Sequence, residues 1–120
     1  MIKSYTDIEQ SKKLADILPL KTADFGWNIF VDGSTRILPI DDWDLTKDGS
    51  GNVKFYHAWS LSALLNVLPK TINHETLFIE TSPSLWHIGY RNIYTARKGK
   101  DNPVDACYEL ILKLRNLKMM

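Results

Sequence analysis

The sequence predicts an α+β fold: an antiparallel sheet, built from an N-terminal hairpin and a C-terminal meander, packed with three helices. Three observations lead there. Apolar residues recur at helical spacing in three separate segments, β-prone runs fall between those segments, and the runs are divided by short turns rather than long crossovers. The 120 residues show no internal repeat. A single domain spanning residues 1–120 is expected, because chains of this length ordinarily build one hydrophobic core.

Thr6 and Glu9 stand at capping-box spacing and predict a first helix from about Asp7. Ile8, Ser11, Ala15 and Leu18 fall on one of its faces with Leu14 alongside. Pro19 ends it by disfavouring helical geometry at the preceding residue. Trp27 to Val31 alternates apolar and polar side chains, Asp32-Gly33 is a hairpin turn signal, and Thr35 to Ile40 is a second β-prone run. Asp41 to Asn52 contains four aspartates and two glycines. It has no period that buries a face and reads as a surface loop.

Ser60 caps a second helix in which Leu61, Leu64, Leu65 and Leu68 share a face, and Pro69 closes it. Thr76 to Thr81, Leu85 to Tyr90 and Ile93 to Arg97 form the meander, broken at Ser82-Pro83-Ser84 and at Arg91-Asn92. Asn102 as N-cap, Pro103 at the first helical position and Asp105 in the first turn mark the start of a third helix. Its apolar stripe is Cys107, Leu110, Ile111, Leu114 and Leu117, with Lys113, Arg115 and Lys118 towards the negative end of the helix dipole.

Fifteen basic residues against fourteen acidic ones leave a net charge of +1, so any site for nucleic acid or anionic lipid must be local. The lone cysteine, Cys107, excludes an internal disulfide and predicts a reducing, cytoplasmic setting. Met1 to Asp7 offers no apolar stretch of signal-peptide length, and export by that route is not expected. No stretch approaches the roughly 18 apolar residues that cross a bilayer, which argues against a membrane partner.

Three segments carry a resemblance: Tyr5-Thr-Asp-Ile-Glu-Gln-Ser-Lys-Lys-Leu-Ala, Ala58-Trp-Ser-Leu-Ser-Ala-Leu-Leu-Asn-Val-Leu-Pro, and Asp101-Asn-Pro-Val-Asp-Ala-Cys. Together they resemble small proteins encoded by phages and mobile elements of gut Bacteroidales, a group with no known activity. The likeness touches the start, middle and end of the chain. It implies an accessory role in a phage or prophage and brings no catalytic residue or cofactor with it.

Asp44, Thr46, Asp48, Gly49, Ser50 and Asn52 imitate the opening of an EF-hand loop, but Phe55 stands where the closing glutamate is required, so a turn is the better reading. His57, His74 and His87 lack the short spacing of a zinc site, and no metal is expected. Gly49-Ser50-Gly51 lacks the further glycine or Lys-Ser/Thr pair of a nucleotide-binding loop. Cys107 belongs to a core stripe rather than a catalytic site. A small hydrolase needs a cleft that joins a histidine to a carboxylate or to Cys107. No catalytic residue and no cofactor are assigned.

Two surfaces remain. Trp43, set among Asp42 and Asp44, reads as an exposed aromatic anchor for a protein partner or for a homo-oligomer. Tyr90, Arg91, Tyr94, Arg97 and Lys98 interleave cations with tyrosines on the hairpin spanning residues 90–100, a pattern that holds phosphates and stacks bases. The leading expectation is a non-enzymatic module acting by protein interaction or self-association. The alternative is a nucleic-acid or nucleotide-signal binder, sponge-like in action.

Overall fold

A computed structural model describes residues 3–40, 52–81, 84–95 and 101–120. Along the described chain the elements are α1 (Ile8–Ala15), β1 (Phe25–Phe30), β2 (Thr35–Pro39), β3 (Asn52–Ala58), α2 (Leu61–Val67), β4 (Thr71–Ile72), β5 (Glu75–Thr81), β6 (Trp86–Tyr90), β7 (Tyr94–Thr95) and α3 (Pro103–Asn116). The α+β class expected from the sequence is the class observed. The strands form two antiparallel sheets, ordered β2-β1-β3 and β4-β5-β6-β7, so the hairpin and the meander occupy separate sheets. Backbone contacts gather into two compact units, Tyr5–Ala63 and Leu64–Met120 with Met1–Ser4. Among the described residues no helix is long and apolar enough to cross a membrane.

In the N-terminal unit the capping box lies one residue later than Thr6 and Glu9. Asp7 accepts the Gln10 amide at 2.8 Å, and the Gln10 side chain accepts the Asp7 amide at 3.1 Å. Thr6 is displaced from that role because its polar groups are spent elsewhere. Its amide donates to the Trp59 carbonyl at 2.9 Å, its hydroxyl accepts the Trp59 amide at 3.1 Å and pairs with the Ser11 hydroxyl at 2.8 Å, and its carbonyl accepts the Trp27 indole N–H at 2.8 Å. Thr6, Ser11, Leu14 and Trp59 are fully buried around this clasp. Helix α1 stops at Ala15; Ala15 itself is exposed, whereas Leu18 is buried just beyond.

Strand β1 pairs with β2 through Trp27–Ile37 and Asn28–Arg36, and with β3 through Trp27–Tyr56 and Asn28–Phe55. Directly opposed residues share a face. The face holding Phe25, Trp27, Ile37 and Tyr56 is the one α1 covers: Tyr5 packs on Phe25 at 4.6 Å, and the Lys12 ammonium sits 5.1 Å above the Tyr56 ring. On the other face Gly26 is required, because a Cβ there would collide with the Phe55 ring. The β1–β2 turn follows Asp32-Gly33 as expected. Gly33 takes φ 86°, and the exposed Asp32 carboxylate accepts from both the Ser34 amide (2.9 Å) and the Ser34 hydroxyl (2.6 Å), which holds its pKa below the usual value. Ser60 caps α2 as expected, its hydroxyl accepting the Ala63 amide at 3.2 Å, while Asp24 accepts both the Ser60 amide (2.9 Å) and hydroxyl (2.5 Å).

In the C-terminal unit α3 begins as the sequence requires: the Asn102 side chain accepts the Asp105 amide at 2.8 Å, with Pro103 at the first turn. Cys107, Leu110, Ile111 and Leu114 are fully buried, with Val104 and Ala106. Leu117 is 40% exposed because α3 ends at Asn116 and the stripe stops there. Helix α3 lies on the face carrying Ile88, Tyr90 and Tyr94, and the Tyr94 hydroxyl donates to Glu109 at 3.0 Å. The two-residue strand β4 had no sequence signal. Asn73 and His74 turn it into β5 with φ 50° and 71°, as a tight hairpin needs.

The Thr6 clasp yields a direct test. Thr6→Val keeps the shape but strands the buried Trp59 amide, so urea unfolding should report a loss of about 1–3 kcal/mol. Thr6→Ser, which retains the hydroxyl, should lose clearly less. Equal losses would mean that the hydroxyl contributes nothing.

Candidate functional site

The structure separates the residues singled out on the basic hairpin. Tyr90 is fully buried under α3, with its hydroxyl donating to the Pro69 carbonyl, so its ring offers no stacking surface. Arg91 is exposed, and its guanidinium lies 4.9 Å above the Phe78 ring. Tyr94 is half-buried, donates to Glu109 and carries the Lys113 ammonium 5.6 Å from its ring centre. Tyr94, Glu109, Leu112, Lys113 and Asn116 line an open cleft of about 350 Å³. Arg97 and Lys98 lie outside the described residues, as do Trp43, Asp42 and Asp44, the Gly-x-Gly segment and the EF-hand-like run up to Ser50, whereas Asn52 and Phe55 belong to β3.

Among the described residues, the thiol and one phenol are held in the core. Cys107 is fully buried, and burial pushes its thiol from 9.0 up to about 12. The Tyr90 hydroxyl is likewise raised from 10.0 to about 12, first by burial and then by the neighbouring Cys107. His57 packs edge-on against Phe55 at 5.1 Å, His74 occupies the β4–β5 turn, and His87 stands opposite Glu80 across β5 and β6. Among the described residues no group of three or more His, Cys, Asp or Glu is placed to hold a metal ion.

What the sequence did not reveal is that, among the described residues, β2 and β5 each present an edge that no strand pairs. In an antiparallel ladder, alternate residues direct both backbone groups to one side. Because the Leu77 amide donates to Lys70 across β4 at 2.9 Å, Ile79 and Thr81 also face that side, where β4 no longer reaches them. Likewise, the Phe30 amide donates to Ser34 and the Ile40 amide to Asp24, at 2.9 and 3.0 Å. Ser34 and Ile40 therefore turn towards β1, and Thr35 and Ile37 turn away from it. No described strand pairs with either edge. Ile79 is 46% exposed, and Glu80, Thr81, Thr35 and Arg36 are exposed with it. The available signal was the isoleucine in each run, but edge status depends on how far the neighbouring strand extends.

No protein-family model, curated protein or solved structure matches this chain. Its function has to be argued from its own geometry.

The buried acids predict an alkaline limit. In the unfolded chain Cys107 and Tyr90 ionise near 9.0 and 10.0, whereas in the folded chain both wait until about 12. Unfolding therefore releases protons above about pH 9. The stability these groups contribute is present below that pH and is lost as pH rises towards about 12. Denaturant titrations between pH 8 and 11 should show the midpoint falling (roughly that range follows from the reference values). Iodoacetamide at pH 8 (about one unit below the thiol's ordinary pKa) should leave Cys107 unmodified until denaturant is added; rapid labelling of the folded protein would contradict its burial.

Proposed function

We propose that the protein is a non-enzymatic accessory module of a phage or mobile element that works in the cytoplasm by binding a protein partner or itself. The observation that carries this reading is the pair of open edges on β2 and β5. An exposed isoleucine beside backbone groups that no described strand pairs favours capture of another strand, and the Arg36 and Glu80 charges on these edges restrict which strand that is. The buried free thiol of Cys107 supports a reducing compartment. Trp43, with Asp42 and Asp44, outside the described residues, is the second contact surface that the sequence offers this reading, since tryptophans anchor interfaces.

Nucleic-acid or nucleotide binding is the second reading, supported by the exposed Arg91, which lies over Phe78, and separately by the cleft that Tyr94 and Lys113 line. It is the weaker one because Tyr90 contributes no ring surface.

Sedimentation velocity over a range of concentrations, with affinity capture by the tagged full chain, separates the readings. The leading one expects mass to rise with concentration or a discrete partner to be retained. It also expects Trp43→Ala combined with Asp42→Asn and Asp44→Asn to weaken capture. A monomer at every concentration with no retained partner would remove it. Binding of a single-stranded oligonucleotide or cyclic dinucleotide that weakens steeply with salt and is lost in Arg91→Ala would establish the second instead.

A further inference from the structure

Resting on the self-association reading, we infer that the β5 edge of one copy pairs antiparallel with the β2 edge of another. In this register Ile79 lies opposite Ile37 of the second copy, Glu80 opposite Arg36, and Thr81 opposite Thr35. The backbone parity agrees at each position. Ile79 and Thr81 direct their amides and carbonyls outward from β5, and Ile37 and Thr35 do so from β2. The two outer pairs therefore exchange hydrogen bonds, while Glu80 and Arg36 form the intervening close pair in which side chains approach most nearly.

The ends of the pairing agree too. One step beyond Ile79, the Leu77 amide is already committed to Lys70 at 2.9 Å. Opposite Leu77 in this register stands Pro39, which has no N–H to donate. Both edges thus stop at the same place. The faces also match. Ile79 lies beside Ile88 on the face that α3 covers, and Ile37 lies beside Trp27 on the face that α1 covers. Pairing joins the two helix-covered faces and sets isoleucine against isoleucine.

Charge selects this arrangement over its alternatives. In the register that uses both outward residues of each edge, pairing β5 with β5 about a two-fold axis sets Glu80 against Glu80, and pairing β2 with β2 sets Arg36 against Arg36. Like charges directly opposed destabilise a sheet, whereas opposite charges stabilise it. Each edge therefore repels its own copy and attracts the other edge, as in strand edges guarded by charge. A contact between two different surfaces closes into a ring or continues as a chain, and the distribution of masses reads which occurs.

Charge reversal tests the pairing on exposed positions that leave the core untouched. Glu80→Lys or Arg36→Glu alone should weaken association by about ten-fold, since each replaces an attraction with a repulsion. The double variant should recover association to within about three-fold of the parent. Ile79→Pro, which removes an outward amide and no ladder bond, should abolish association while circular dichroism stays unchanged. If the parent associates but neither charge reversal nor Ile79→Pro alters it, the pairing is wrong and self-association through another surface stands. If the parent stays monomeric up to about millimolar concentration, the pairing and self-association fall together.

Discussion

Thr6 engages every polar group it owns within the N-terminal unit. Its amide and hydroxyl close on Trp59, its carbonyl on the Trp27 indole, and its hydroxyl also on Ser11 of α1. Because these groups are buried, each would cost more unpaired than it contributes when paired, so the arrangement is all or nothing. The clasp fixes where α1 starts, holds the end of β3 beside the chain entering α1, and aligns Trp27 in β1 between them. With β3 occupying one side of β1, β2 becomes the outer strand. The exposed edge at Thr35 and Ile37 is thus a consequence of how the core is tied.

In the C-terminal unit a different economy produces the second edge. Strand β4 begins only after Pro69 and is two residues long, so it shields the start of β5 and leaves Ile79 and Thr81 uncovered among the described residues. Meanwhile α3 spends its apolar stripe on β6 and β7 and buries the one thiol. Cys107 and Tyr90 are drawn into packing, while Ile79 and Thr81 keep backbone groups at the rim that no described strand pairs. Near-neutral net charge gives no long-range pull, so selectivity falls to individual charges such as Glu80 and Arg36.

Helices were the legible part of the sequence because their starts are written locally. Ser60 and Asn102 cap as their neighbours require, and Pro103 and Asp105 reinforce the second case. Thr6 was misread as a cap because tertiary hydrogen bonds outbid local ones. Strand β3 was missed because Phe55 and Tyr56 project to opposite faces, which erases the alternation that marks a strand with one buried side. The basic hairpin looked like a ligand surface because spacing cannot tell that Tyr90 faces α3. Open edges are less legible still, since they arise from where a neighbouring strand ends.

Amide hydrogen exchange, resolved by residue and followed with protein concentration, tests the central claim that these two edges meet. If the edges meet, the amides of Thr35, Ile37, Ile79 and Thr81 gain protection together as concentration rises, while those of Arg36 and Glu80, already paired within their own sheets, stay constant. Association that leaves these four amides exchanging as fast as in dilute solution, or that protects one edge without the other, would contradict it.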